Sequence, residues 1–119
     1  LDLLDHPKIA IDCSLDIIRN MKSLNIELQK EDLPPVAIGI GINTGIAVIG
    51  NMGSESRFDY TAIGDAVNTA ARLESATKDR NVNLLIGKST TKASGYKLKK
   101  LQSIKVKGKT KALEIYTYE

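Results

Sequence analysis

Residues 36–50, "VAIGIGINTGIAVIG", decide how the fold is read. Val and Ile dominate on both sides of Asn43, Thr44 and Gly45. Branched side chains of this kind favour a pleated, half-buried backbone, and an Asn and a Gly between two such runs supply turn chemistry. The stretch is therefore expected to form a hairpin of two buried strands, 36–42 and 46–50. Gly39 and Gly41 lie inside the first of them. A glycine weakens a strand, and its usual reason for being there is that another segment comes close to the backbone.

On the N-terminal side, residues 7–24 have helical spacing, with Ala10, Cys13, Ser14, Ile17, Ile18 and Met21 on one face. Pro7 suits the first helical position. "QKEDLPP" (29–35) is a polar connector closed by prolines. On the C-terminal side, "NMGSESRFDYT" (51–61) is polar and contains glycine, so a loop or an extended arm is expected. "DAVNTAARLESATK" (65–78) is rich in helix formers and starts at Gly64 or Asp65. "VNLLIG" (82–87) reads as a short buried strand, and "KSTTKAS" (88–94) as a short helix or turn ended by Gly95. "YKLKKLQSIKVKG" (96–108) and "KALEIYTYE" (111–119) alternate apolar with polar positions, as half-exposed antiparallel strands do. The resulting order is helix, two strands, helix, strand, short helix, two strands. It predicts an α+β fold with helices packed on a mainly antiparallel sheet.

The 119 residues suit one domain, 1–119, and the 42% apolar content permits a core. One cysteine, Cys13, excludes an internal disulfide framework and fits a reducing compartment. No apolar run approaches the roughly 20 residues that span a bilayer, so no membrane contact is expected from this segment. The chain begins at Leu1 without a Met, so it is expected to be a piece of a longer protein. The net charge of +3 is unevenly distributed: nine lysines and no acidic residue lie between Gly87 and Lys111, while the remainder carries eight Lys or Arg against fourteen Asp or Glu. Such a block can mark a surface for nucleic acid or another anion, or a solvated sheet edge whose lysines discourage aggregation. A nucleic-acid partner is not expected, because Tyr96 is the only aromatic among these lysines available for stacking.

Three signals for chemistry fail on spacing. Gly87-Lys88-Ser89-Thr90 resembles the end of a phosphate loop, but the required earlier glycine is Val82. Gly39, Gly41 and Gly45 lack the spacing and the following helix of a dinucleotide fingerprint. His6 is the sole histidine and has no Ser or Cys close in sequence, which disfavours a triad or a zinc site. Asn68 and Arg72 remain. Four apart on a helix, they share a face. The guanidinium is a planar fork suited to phosphate oxygens, and the amide both donates and accepts. Alternatively, the two form a surface pair that bonds to itself or to Glu74.

"IGIGINTGIAVIGNMGSESRFDYTAIGDAVNTAARLESATK" closely resembles the class III nucleotidyl cyclases, and "VKGKTKALEIYTYE" resembles that family's closing strands. The resemblance spans residues 36–119, and the helix after "LDLLDHP" is similar to the one that follows the family's second metal-binding strand. It implies part of a ferredoxin-like class III cyclase catalytic domain lacking its N-terminal strands. It further implies two chains packed head to tail as a homodimer with the site between them, and ATP as substrate. In that arrangement Thr61 would contact the adenine, Asn68 the ribose, and Arg72 the charge on the reacting phosphate. Lys107, or else Lys109, would bind the terminal phosphates. Guanylate cyclases tend to carry Cys at the place of Thr61. Two Mg²⁺ or Mn²⁺ ions are implied, but the family's metal aspartates lie upstream of Leu1, so no metal ligand is expected here. The isolated chain is therefore expected to turn over no ATP. Gly64-Asp65-Ala66 imitates one metal motif but is read as a helix start. The resemblance implies a cytoplasmic catalytic domain. Alternatives are a non-catalytic, dimerising regulatory module and a guanylate cyclase.

Overall fold

The computed structural model describes residues 4–54, 57–105 and 111–118. Its elements are α1 (His6–Lys30), β1 (Ile40–Ile42), β2 (Val48–Ser54), β3 (Arg57–Ile63), α2 (Asp65–Arg80), β4 (Leu84–Gly87), α3 (Lys88–Ser94), β5 (Lys99–Ile104) and β6 (Leu113–Thr117). Four strands form one sheet in the order β1-β4-β6-β5, and β2 and β3 form a separate two-stranded sheet. Within the larger sheet β1 and β4 are parallel, whereas β4–β6 and β5–β6 are antiparallel. The α+β class and the antiparallel pairing of the last two strands agree with the sequence.

Alternation along β4 places a helix on each face of this sheet. Leu84 and Ile86 join Ile11 of α1 in one core cluster, while Leu85 joins Leu73 of α2 and Ile115 of β6 in the other. Successive strand residues point to opposite faces, so a strand covered on both sides reads as a continuous apolar run rather than an alternating one. Leu101 and Ile104 of β5 are three apart yet share the α2 side. A register shift between them reconciles this with two-residue alternation.

The expected hairpin of 36–42 with 46–50 does not form. β1 pairs instead with β4, Ile40 opposite Leu84 and Ile42 opposite Ile86. β2 leaves the sheet and pairs with β3, from Val48 opposite Ile63 to Ser54 opposite Arg57. Gly45 is not a hairpin turn: a Cβ there would lie 2.6 Å from the Ala66 Cβ, so the glycine lets α2 pack against the chain as it leaves the sheet. Nor are both strands buried, since Val48 and Ile49 of β2 are exposed. Of the "NMGSESRFDYT" segment, residues 51–54 complete β2 and residues 57–61 form most of β3, so the described part is an extended arm.

The segment that approaches Gly39 and Gly41 is α2. A Cβ on Gly41 would collide with backbone atoms of Ala70 and Glu74, and one on Gly39 with the Thr77 side chain. The two glycines thus let the helix lie directly on β1.

α1 runs six residues further than expected, to Lys30, and its inward face is rotated from the expected one, keeping Ser14 and Ile18. Pro7, Ile11 and Ser14 are buried and Leu15 and Ile18 pack against the core, whereas Cys13 and Ile17 point outward. Ser14 satisfies its hydroxyl by donating to the Ala10 carbonyl at 2.8 Å. The connector is tied back to α1 through Asn25, which accepts from the Val36 N–H at 2.7 Å and donates to the Val36 carbonyl at 3.0 Å. At the other end of α1, Tyr96 donates its hydroxyl to Asp12, which also pairs with Lys8 at 3.2 Å. The Tyr96 bond, and then the Lys8 bond, hold the Asp12 carboxyl below its ordinary range.

α3 ends as read, with Gly95 in the left-handed conformation at φ 77°. No helix among the described residues is long and apolar enough to cross a membrane.

Candidate functional site

The sheet-facing stripe of α2 is Ala66, Ala70, Leu73 and Thr77. These residues meet Gly45, Gly41 and Gly39, and Leu73 and Thr77 are buried. At 100° per residue the opposite stripe is Asn68, Arg72, Ser75 and Asp79, and all four are exposed. Packing of small residues on β1 therefore fixes which way Asn68 and Arg72 face. The alternative of a self-contained surface pair is not what forms. Among the described residues, Arg72 has no ion pair, and Glu74 engages the Ser75 hydroxyl at 3.5 Å instead.

Arg72 borders an open cavity of about 380 Å³ between α2 and the end of β5, lined also by Ala71, Ala76, Asp79, Ile104 and Lys105. Two exposed cations thus share one recess, with Asp79 the acidic group at its wall. Lys105 was not singled out from sequence, where it is one lysine in a block of nine. Its place at the end of an alternating strand was the only available signal. Lys107 and Lys109 lie outside the described residues. Thr61 is on β3, half-buried, opposite Gly50 across the arm. It precedes by three residues Gly64, the N-cap of α2. The structure thus brings Asn68, Arg72 and Lys105 to one side of α2 and puts Thr61 on the strand leading into that helix.

A polar cluster anchors the near end of α2. Asn43, just beyond β1, donates its Nδ2 to the Ala66 carbonyl at 3.1 Å and accepts from the Ser89 hydroxyl at 3.2 Å. Ser89 also reaches the Thr44 carbonyl at 2.9 Å, and the Thr44 and Thr90 hydroxyls are 2.7 Å apart. Asn43 was read as a turn residue and Ser89 as part of a failed phosphate loop, so neither was recognised as a contact to α2.

Elsewhere in the lysine block, Lys100 and Lys88 hold Glu114 at 2.8 and 2.9 Å. The Lys100 bond, then the Lys88 bond, lowers the Glu114 carboxyl to about 2. Both lysines thus pair with a carboxylate on β6, the strand between β4 and β5. No group of three or more His, Cys, Asp or Glu side chains able to hold a metal converges among the described residues. The side chains described do not fit the implied ion pair, and no step below passes through a metal.

The family profile described as "Adenylate and Guanylate cyclase catalytic domain" matches residues 3–119. Among curated proteins, an adenylate cyclase of Anabaena cylindrica is 39% identical over 116 residues, covering 93% of this chain and 23% of that protein. A bacterial light-regulated adenylyl cyclase superposes with a TM-score of 0.80 at 35% identity, covering 96% of this chain and 34% of the other. The guanylyl cyclase Cya2 superposes equally, with a TM-score of 0.80 at 28% identity, covering 97% of this chain and 58% of the other. The chain therefore spans less than two thirds of each of these proteins.

Proposed function

Because the chain belongs to the adenylate and guanylate cyclase catalytic domain family, we propose that it supplies the nucleotide-holding side of an adenylate cyclase. The reaction turns ATP into 3′,5′-cyclic AMP and pyrophosphate. The ribose 3′ oxygen loses its proton and bonds to the α-phosphorus, and the bond from that phosphorus to the bridging oxygen breaks. The product serves as a signalling nucleotide. The observation that carries this reading is the outward stripe of α2, where Arg72 shares an open recess with Lys105 and has no ion pair among the described residues. Such a guanidinium is available to charge that builds on phosphate oxygens in the transition state, where fixed cations act most strongly. Asn68, one turn earlier, would orient the ribose, and Lys107 or Lys109 would hold the terminal phosphates. Similar proteins carry both the adenylyl and the guanylyl name. Adenine is favoured because Thr61 stands where guanylate cyclases tend to have Cys.

A second chain, packed head to tail, completes the site. The arm supports this pairing: Val48 is 63% exposed, Ile49 60% and Tyr60 78%. A two-stranded hairpin left alone in water is marginally stable, and apolar surface of this kind marks association sites.

Complementation tests the shared site. In the full-length protein, Arg72→Ala should lower kcat by about 10²-fold with a smaller change in KM, since the lost interaction belongs mainly to the transition state. Mixing that variant with one lacking the metal-binding carboxylates should restore roughly a quarter of wild-type activity, because about half of randomly exchanged two-fold dimers are mixed and each has one intact site of two. If subunits exchange and the mixture stays inactive, Arg72 serves its own chain and the shared site is wrong.

A further inference from the structure

We infer that Asn43 is a positioning residue for the α2 stripe that carries Asn68 and Arg72, acting through the first turn of the helix. The inference rests on the cyclase reading of those two side chains. The near end of α2 is where the helix needs an external hold. Its N-cap is Gly64, which makes no side-chain capping bond and meets the helix only through its carbonyl, which accepts the Val67 and Asn68 N–H groups at 3.1 and 3.0 Å. The strand leading into it, β3, belongs to the arm and not to the four-stranded sheet. The middle of the helix, by contrast, is seated on Gly41 and Gly39. The first turn also rests on Gly45 through Ala66, but that contact sets a distance and not a direction, and a helix start without a directional hold would tilt and carry Asn68 with it.

Asn43 closes that gap. Its amide donates to the Ala66 carbonyl at 3.1 Å, two residues before Asn68, while its oxygen accepts from Ser89 on α3 at 3.2 Å. The single Ser89 hydroxyl proton is shared between that oxygen and the Thr44 carbonyl at 2.9 Å, and the Thr44 N–H donates to the Ser89 oxygen at 3.4 Å. One residue beyond it, fully buried Thr90 is 2.7 Å from the Thr44 hydroxyl. The result is a bridge from α3, through Asn43, to α2. Gly87 leaves the room: a Cβ there would sit 2.5 Å from the Asn43 Oδ1. The bridge requires one donor and one acceptor on the same short side chain, which Asn has. Asp would turn a second acceptor toward the Ala66 carbonyl, and Ala would offer neither group.

The test uses the full-length protein and two readouts. Asn43→Ala and the isosteric Asn43→Asp should each lower kcat about tenfold while KM stays within about twofold, as loss of alignment with retained binding requires. In both variants the amides of residues 67–70 should exchange with solvent about tenfold faster, with α1 amides unchanged. Ser89→Ala, which removes the outer leg of the bridge, should cost about threefold in kcat. Thr91→Ala, whose hydroxyl donates to the Gly87 carbonyl and not to α2, should leave both readouts unchanged.

Unchanged exchange in the Asn43 variants, or faster exchange with unchanged kcat, overturns the positioning role. So does an Asn43→Asp variant that behaves as wild type, because the donor to Ala66 would then be dispensable. Loss of protection in α1 as well would reduce Asn43 to general stability and likewise overturn it. A wild-type protein that makes no cyclic nucleotide overturns the cyclase reading instead. The exchange comparison then decides by itself whether Asn43 holds α2.

Discussion

β4 and the β2–β3 arm both carry branched apolar residues, which end in opposite surroundings. All four residues of β4 are buried. In the arm, Val48, Ile49, Tyr60 and Ile63 are more than half exposed. The arm is the more polar, with Asn51, Arg57, Asp59 and Thr61 among its residues, but that does not explain why Val48, Ile49 and Ile63 stay uncovered. β4 has β1 on one edge and β6 on the other, and α1 and α2 cover its faces. Each strand of the arm has one neighbouring strand. Neighbouring strands and covering helices, and not apolar character alone, decide which of these apolar residues become core. The difference also divides the chain: both apolar core clusters lie on the sheet, and the arm leaves apolar surface uncovered.

Two glycines give the sharpest test of that division. Gly41→Ala should destabilise the chain by about 3 kcal/mol, because overpacking against backbone cannot be relieved by a side-chain shift, and the obstructing atoms belong to the Ala70 and Glu74 backbone. Gly50→Ala, on the arm with nothing within 4 Å of the added carbon, should change stability by no more than about 0.5 kcal/mol. Urea midpoints of the two variants measure this, and equal losses would break the contrast. A smaller effect is expected from Ile49→Lys. It should leave the urea midpoint of the monomer near wild type while weakening self-association about tenfold, or roughly 1.4 kcal/mol. Sedimentation across a concentration series reads it, and an unchanged dimer would take the arm out of the interface.

The smallest effect belongs to the ion pairs around Glu114 on β6. Lys100 and Lys88 depress the Glu114 carboxyl from 4.5 to about 2 in the folded state. A depressed carboxylate contributes stability that is fully present above its unfolded value and is lost as pH falls from about 4.5 toward 2. Glu114→Gln should therefore flatten that part of the acid limb and leave neutral pH nearly untouched, the exposed lysines being well screened. Thermal midpoints between pH 2 and 7 check the shape, and an acid limb identical to wild type would remove Glu114 from the account.

What the sequence reveals follows from the range over which each signal acts. α2, β4, α3, β5 and β6 were legible because period and end signals lie within each element, as Gly95 does for α3. The pairing of β1 was not. Asn43 and Gly45 look the same whether they reverse a hairpin or let a chain pass beside a helix, and the true partner lies at 84–86. α1 has apolar residues around more than half of its circumference, so spacing gave a face that shares Ser14 and Ile18 with the observed one, but packing turned it toward Ile11 and Leu15. At the site, the four-residue spacing of Asn68 and Arg72 predicted their shared direction. Lys105 stayed hidden among similar lysines, and Asn43 was masked by its resemblance to a turn residue.

The parallel pairing of β1 with β4 also sets a timetable for the chain. The arm and α2 form from neighbours in sequence, whereas residues 40–42 must wait for 84–86. Closing so long a loop is an entropic cost met before any contact repays it, and such pairings slow folding. During synthesis, β1 and the arm emerge with their edges open well before β4 arrives to cover one of them. Open edges and apolar strands are what nascent chains aggregate through. The interval between the emergence of Ile42 and that of Leu84 is therefore the period of greatest exposure, and arrival of the "LLIG" strand ends it for β1.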